Sequence, residues 1–387
     1  MNTRTVSRTA SRPLGNAFYR LSNRKGDVWQ SLRIDPPLML SLLCLAGFGL
    51  MVLYSASAEN VIDVQRQAVA VVIGFIAMVA VSQIDVNFFR RGAVMMFVGG
   101  LVLLGVVLVI GVEVNGAKAW LDLPGLPSFQ PSEFEKFLVP MLLAWYLSTR
   151  SLPPRFKDLL VCGVIIAIPA ALILLQNDTG TALMVIMSGV FVILLAGVSW
   201  RLVFSGVFLA ALASPAWWIF LAREHQKNRI LTFFDPYRDP TGAGYNIIQS
   251  QIAIGSGGLQ GKGWLNGAQS QLDFIPESNT DFILAVLAEE FGLIGVLLLV
   301  GLYMAVLARG FYIALVAQDT FGRLLAGGII LTFFFYAFVN MAMVSGLMPV
   351  VGLPLPLVSK GGTSIVTLMI GFGILMSIQN HKRVLPR

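Results

Sequence analysis

Asp281 is the side chain in this sequence best placed to do chemistry. It follows the polar, glycine-studded segment 222–280 and heads a long apolar run whose next turn carries Ala285 and Ala288. An acid at a helix mouth has a plain reading, stabilisation by the helix dipole, and a sharper one, a working group at a membrane boundary. The two alanines leave room for a groove beside that run. Glu133, Glu135 and Lys136 open another apolar run behind Pro131 and Ser132, a helix-start signature. Glu133 and Lys136 are three positions apart, hence on one helical face and able to pair. Such a pair either fixes helix packing or supports a catalytic group. Lys118 lies close to Trp120. A cation beside an indole suits a phosphate and a sugar face, although an indole at an interface is equally a simple anchor. Gly255 to Gly263 offers backbone able to approach an anion closely, or plain flexibility. Glu289 and Glu290 lie ~12 Å deeper than Asp281, and their adjacency points them in different directions.

A membrane must position these groups. Of 387 residues, 56% are apolar and 12% charged, with a mean hydropathy of +0.78. A soluble core would need far more polar surface. Ten runs are long enough to cross about 30 Å of hydrocarbon: 36–54, 66–84, 92–112, 132–149, 158–176, 179–198, 202–221, 281–307, 323–345 and 362–380. The fold class is therefore an all-α polytopic membrane protein with ten transmembrane helices. Placing the N-terminus inside puts 18 Lys and Arg residues in inner segments and 8 in outer ones, five of the 8 within one long loop. This bias makes both termini cytoplasmic and turns the long loop between the seventh and eighth spans, 222–280, outward. Within it, Gly244 to Ile254 suits a short helix lying in the interface. The domain plan is a basic cytoplasmic tail (1–35), a transmembrane domain (36–380) and a cytoplasmic C-terminal tail (381–387).

Composition also removes some functions. The net charge of +7 is concentrated in the first 33 residues, where seven basic side chains face only Asp27. That pattern suits an anionic inner leaflet and argues against nucleic acid as a partner. Cys44 and Cys162 both fall in apolar runs, and the only histidines are His225 and His381. Neither a structural disulfide nor a zinc site is expected. No inverted repeat or matched pair of Gly/Pro-broken spans supports a secondary-transporter plan.

Several short motifs, in order, carry a resemblance. They are Gly116-Ala117-Lys118-Ala119-Trp120-Leu121, Gln130-Pro131-Ser132-Glu133 with Lys136, and Asp178-Thr179-Gly180-Thr181. Gly255-Ser256-Gly257-Gly258, Gly261-Lys262-Gly263-Trp264 and Phe274-Ile275-Pro276-Glu277 with Thr280-Asp281-Phe282 follow. Ala288-Glu289-Glu290 and Pro356-Leu357-Val358-Ser359-Lys360-Gly361-Gly362 complete the set. Together they resemble the SEDS family (shape, elongation, division and sporulation) over residues 36–380. The run Gln269 to Phe274 resembles the rod-shape branch more than the division branch.

The resemblance implies a ten-helix peptidoglycan glycosyltransferase that polymerises lipid II on the outer face of the bacterial cytoplasmic (inner) membrane during elongation. It gives Asp281 the family's essential acid position, and Glu133 with Lys136 its buried supporting pair. It also implies a class B penicillin-binding protein as partner within the elongation machinery. Two positions depart from the family pattern: Ala119, often arginine, and Lys360, usually aromatic. Under this reading Asp281 accepts the proton of an attacking sugar hydroxyl, and one carboxylate suffices because pyrophosphate is already a competent leaving group. Lys118, Trp120, Arg229, Lys262 and Lys360 are the candidate substrate contacts. No cofactor is assigned, although a divalent cation could share the pyrophosphate charge. Two rival functions stand beside this one, a lipid II flippase or other transporter and a noncatalytic scaffold for a transpeptidase.

Overall fold

The computed structural model describes residues 33–380 apart from 115, 123–127, 221, 240–241 and 269–276. The tails at 1–32 and 381–387 and the run Gln269 to Phe274 lie outside the described residues. The elements, in chain order, begin with α1 (Pro36–Ala56), α2 (Val61–Ser82), α3 (Val86–Ile110), β1 (Val112–Val114) and β2 (Ala117–Trp120). Then come α4 (Ser132–Ser148), α5 (Phe156–Leu175), α6 (Thr179–Leu195), α7 (Trp200–Phe220), α8 (Glu224–Phe234) and α9 (Ala243–Gly257). The last three are α10 (Ile283–Val316), α11 (Thr320–Val344) and α12 (Gly362–Asn380).

Polar residues in the connections start these helices. Asp35, Asn60, Asp85, Asp178 and Asp319 each accept a hydrogen bond from a first-turn N–H of the helix that follows, at 2.7–3.1 Å. These caps satisfy donors that a helix end leaves open. Each of the ten expected spans falls on a helix. Eight are long and apolar enough to cross a membrane, and α6 is a shorter apolar helix of 17 residues. The tenth, α4, is also 17 residues long and carries Glu133, Glu135 and Lys136 in its first turns. The chain is thus a mostly helical, multi-pass membrane protein.

Three expectations need correction. The fold is not purely helical: β1 and β2 pair antiparallel, with Val114 opposite Ala117 and Gly116 at a φ of 81°. The sequence signal was Asn115-Gly116 between alternating residues, a strong hairpin cue that the span count passed over. The segment around Gly244 to Ile254 is a helix, but it does not lie free in the interface. Helix α9 packs on α10, burying Ile247, Ser250 and Ala253, and the Ser250 hydroxyl reaches the Val344 carbonyl of α11 at 3.1 Å. The glycine-rich stretch, finally, spends several of its backbone groups on another helix.

Its role follows from a break in α10. At Gly292 the backbone turns to φ 61°, ψ −158°, interrupting the helix. Broken helix inside hydrocarbon must recover its hydrogen bonds from other protein groups. Here the loop after α9 supplies them. Lys262 and Gly263 donate N–H groups to the carbonyls of Glu289 and Glu290, both at 3.0 Å. Beyond the break, the N–H groups of Leu293 and Ile294 bond the carbonyls of Gly258 and Leu259 at 3.0 and 3.2 Å. Gly257 and Gly261 pass so close to α10 that a Cβ would strike the carbonyls of Ala288 and Glu290.

Helices α4, α11 and α12 form the most enclosed part of the bundle, whereas none of the described side chains of α7 is buried. Charged side chains gather at one end: Arg309 holds Asp35 in a two-pronged contact at 2.6 and 2.9 Å, and Arg90 meets Asp319 at 3.8 Å. The opposite end holds Asp281, the hairpin and the connection from Gly346 to Gly361, which runs inward with Leu353, Leu355, Leu357 and Val358 buried.

Candidate active site

Asp281 stands in the turn just ahead of α10, with its main chain tied at three successive carbonyls. Asn279 accepts from the Lys360 N–H at 2.9 Å, Thr280 from the Ser359 hydroxyl at 2.5 Å, and Asp281 from the Asn340 side-chain amide at 2.8 Å. The same Asn340 amide nitrogen reaches the Leu353 carbonyl at 2.6 Å. The carboxylate is therefore aimed by α11 and the 353–361 connection, not by its own helix alone.

It opens into a cavity of 520 Å³ walled by the β-hairpin, the α4 and α6 starts, α8, and the connection ahead of α12. Gly352, at φ 80°, sits between Asp281 and Arg229. A Cβ there would stand 3.6 Å from the Asp281 Oδ2 and 4.0 Å from the Arg229 Nη2. Arg229 is braced by the Val351 carbonyl at 3.1 Å. Burial pushes the Asp281 carboxyl up to about 6, with Glu277 adding to the rise and Arg229 opposing it. An aspartate near 6 is a better base than one near 3.9, yet it is still mostly ionised at neutral pH.

Glu133 and Lys136 line and support the cavity floor as an ion pair at 2.6 Å, with side-chain exposures of 6% and 1%. The ammonium also sits 4.4 Å above the centre of the Tyr336 ring. Below Tyr336 the packing turns aromatic, Phe333 meeting Phe372 at 5.0 Å and Tyr303 at 5.7 Å. On the wall, the Gln130 amide bonds Asp178 at 2.6 Å, joining two of the sequence motifs, and the Lys118 N–H bonds the Gln176 carbonyl at 3.0 Å.

The candidate contacts divide. Trp120, Arg229 and Lys360 line the cavity. Lys118 does not: its ammonium caps the end of α3, donating to the carbonyls of Leu108 and Val109 at 3.0 Å each. That placement satisfies open carbonyls and the negative end of the helix dipole. Lys262 does not either, being held by Glu289 at 2.6 Å beside the α10 break. The expected groove also moves. Ala285 and Ala288 are buried. The apolar groove, 830 Å³, instead opens between α2, α4 and α12, and it shares Trp120, Gln130 and Thr363 with the cavity.

Sequence reading missed Tyr336, Asn340 and Gly352. The first two were visible as polar groups within the run 323–345, but nothing local says which face of that helix they occupy. Gly352 was one of 38 glycines, and only its contacts single it out.

Comparison with known proteins agrees with the ordered motifs. The family model described as "Cell cycle protein" (FtsW, RodA, SpoVE) matches residues 36–384. The peptidoglycan glycosyltransferase MrdB of Escherichia coli (strain K12) is 46% identical over 363 residues, 94% of this chain and 98% of that protein. A probable peptidoglycan glycosyltransferase FtsW of Geobacter metallireducens is 36% identical over 92% of this chain and 96% of its own. Among solved structures, a chain from a peptidoglycan synthase complex that coordinates polymerization and crosslinking superposes with a TM-score of 0.79 at 33% identity. That match covers 89% of this chain and 97% of the other. The rod shape determining protein RodA of Thermus thermophilus superposes with a TM-score of 0.67 at 29% identity, covering 89% and 96% of the two chains. The motifs, the helical architecture and these matches converge, and the chain belongs to the FtsW/RodA/SpoVE family of cell cycle proteins, the SEDS family.

Proposed function

We propose that this protein is a peptidoglycan glycosyltransferase that polymerises lipid II into glycan strands during cell elongation. The observation that carries the reading is a half-buried carboxylate, Asp281, facing Arg229 in a polar cavity that joins an apolar groove. A substrate with a sugar head and an isoprenoid tail needs those two environments side by side. The tail would lie in the groove beside α2, α4 and α12, and the head group in the cavity.

In the reaction, the Asp281 carboxylate takes the proton from the attacking sugar hydroxyl. The oxygen bonds the anomeric carbon with inversion as the bond to the lipid pyrophosphate breaks. Arg229 and Lys360 neutralise charge on the departing pyrophosphate, the kind of preset electrostatic help that lowers such barriers most. Trp120 offers its ring to a sugar face. Glu133 and Lys136 act through the floor, holding its shape. Among the described residues no cluster of three His, Cys, Asp or Glu side chains forms a metal cage. The cavity carboxylates Glu133, Asp178 and Glu277 are engaged by Lys136, Gln130 and Thr280. The pyrophosphate itself could carry a divalent cation into the site, and no step above passes through one.

All ten helices that match expected spans are taken to cross the cytoplasmic (inner) membrane, with both termini inside and the 222–280 segment outside. The basic end around Arg90, Arg150 and Arg309 supports that orientation. The partner in this reading is a class B penicillin-binding protein, supported by likeness to a chain of a solved synthase complex. A transporter would need a polar path through the midplane, whereas the floor below Tyr336 is closed by Phe333, Phe372 and Tyr303. The test is polymer formation from purified lipid II by wild-type and Asp281→Asn protein with the partner present. Loss of polymer is expected; normal strand synthesis would remove the proposed base, and continued lipid transport without polymer synthesis would favour a flippase.

A further inference from the structure

Lys360 occupies the junction of the two binding environments, but its ammonium is turned aside. It lines the cavity, while its neighbours Gly362 and Thr363 line the groove. Its Nζ lies 2.9 Å from a carboxylate oxygen of Asp63, near the start of α2, with side-chain exposures of 38% and 15%. The backbone that carries that ammonium is tied on both sides. The Lys360 N–H is bonded to Asn279, the Ser359 carbonyl accepts from the Gln67 amide at 2.7 Å, and the Gly361 N–H donates to the Gln67 Oε1 at 3.1 Å. Only the flexible four-carbon stem of Lys360 is left to move. Arg66, three residues after Asp63 and so on a neighbouring part of the same helix surface, is exposed and is the charged residue lining the groove.

We propose that Asp63 is a displaceable counter-ion that parks Lys360 until a lipid-borne pyrophosphate reaches the junction, where Lys360 and Arg66 then share the anion. This rests on the reading of the chain as a lipid II polymerase but concerns substrate capture, not the proton transfer at Asp281. The pair is only partly buried, so it is held less firmly than an enclosed one and its lysine can exchange partners. A pyrophosphate carries more charge than one carboxylate, so it competes well for the same ammonium. The parked state also has a use: it keeps a cation from drawing stray anions into an empty site.

Binding separates this idea from catalysis. Affinities of purified full-length protein in detergent would be measured for three probes: a polyprenyl pyrophosphate, the corresponding polyprenol, and inorganic pyrophosphate. Asp63→Asn is expected to tighten polyprenyl pyrophosphate binding about 2–5-fold by releasing the lysine. Lys360→Met is expected to weaken it roughly tenfold and to cancel the Asp63→Asn gain in the double variant. Arg66→Gln should weaken it also, and all three variants should leave polyprenol binding unchanged. Inorganic pyrophosphate, lacking the tail, should bind at least tenfold more weakly than the lipid. The proposal fails if Asp63→Asn does not tighten binding, if Lys360→Met weakens polyprenol equally, or if free and lipid-borne pyrophosphate bind alike. Because no turnover is needed, these results stand whether or not Asp281 proves to be the base.

Discussion

Two acids near the head of α10 show how one helix can use a carboxylate for opposite ends. Glu289 is fully buried and is answered at 2.6 Å by Lys262, beside a backbone break whose hydrogen bonds are restored by a glycine-rich loop. Asp281, two turns earlier, is half-buried and faces a cavity, with Arg229 across the Gly352 gap and no salt bridge to its carboxylate among the described residues. Burial without an ion-pair partner raises its proton affinity, whereas the paired acid is spent on holding the fold. The difference teaches that charge in a membrane protein is not by itself a mark of chemistry. A carboxylate left under-compensated beside a cavity is the more telling sign.

The sharpest way to break the comparison is Asp281→Asn. Polymerisation should fall by more than about 100-fold, as for loss of a general base. Stability should move the other way. The folded state binds the Asp281 proton more tightly than the unfolded chain does, so this group favours folding below about pH 4 and ceases to as pH rises through about 6. A neutral Asn removes the cost of a half-buried charge at pH 7.5, on the order of 2 kcal/mol, and thermal unfolding in detergent should show it.

Lys262→Met reverses the signature. Removing the ammonium beside a fully buried acid should cost about 3 kcal/mol of stability, read as a lower unfolding temperature. Protein that stays folded should still polymerise. Lys136→Met falls between the two, because the pair lies under the cavity yet touches no reacting atom. Roughly tenfold slower polymerisation with normal membrane insertion is expected, and wild-type rates would reduce the pair to packing.

A milder perturbation is pH. If ionised Asp281 is the base, kcat/KM should drop about tenfold per pH unit below about 6. Arg229→Gln should shift that limb upward, since Arg229 opposes the rise. The smallest effect belongs to Lys118→Gln. Loss of a helix-end cation should cost about 0.3–1 kcal/mol of stability and leave the polymerisation rate within about threefold of wild type.

Much of this was legible in the residues themselves. Apolar runs must become helices where the backbone has no water to bond, so the placement of the ten helices followed from hydropathy. The Glu133–Lys136 pair followed from helical spacing, and the different directions of Glu289 and Glu290, which meet Lys262 and Ser55, from their adjacency. Local patterns could not say which cations reach the site. Lys118, Lys262 and Lys360 look alike in sequence, each a lysine among small residues, yet one caps α3, one pairs with Glu289 and one meets Asp63. Their fates depend on partners 9 to 297 positions away.

The sequence by itself therefore determined the solvent of this protein, its helical frame, its family and the acid on which its proposed chemistry turns, because periodicity, charge and motif order are one-dimensional properties. Only the tertiary structure decided what that acid faces. Packing brings Asn340, Gly352 and Arg229 to Asp281, sets Tyr336 under Lys136, and opens the apolar groove beside α2 and α12 instead of beside α10. These are long-range contacts, and side chains far apart in the chain meet only when the helices have chosen their neighbours.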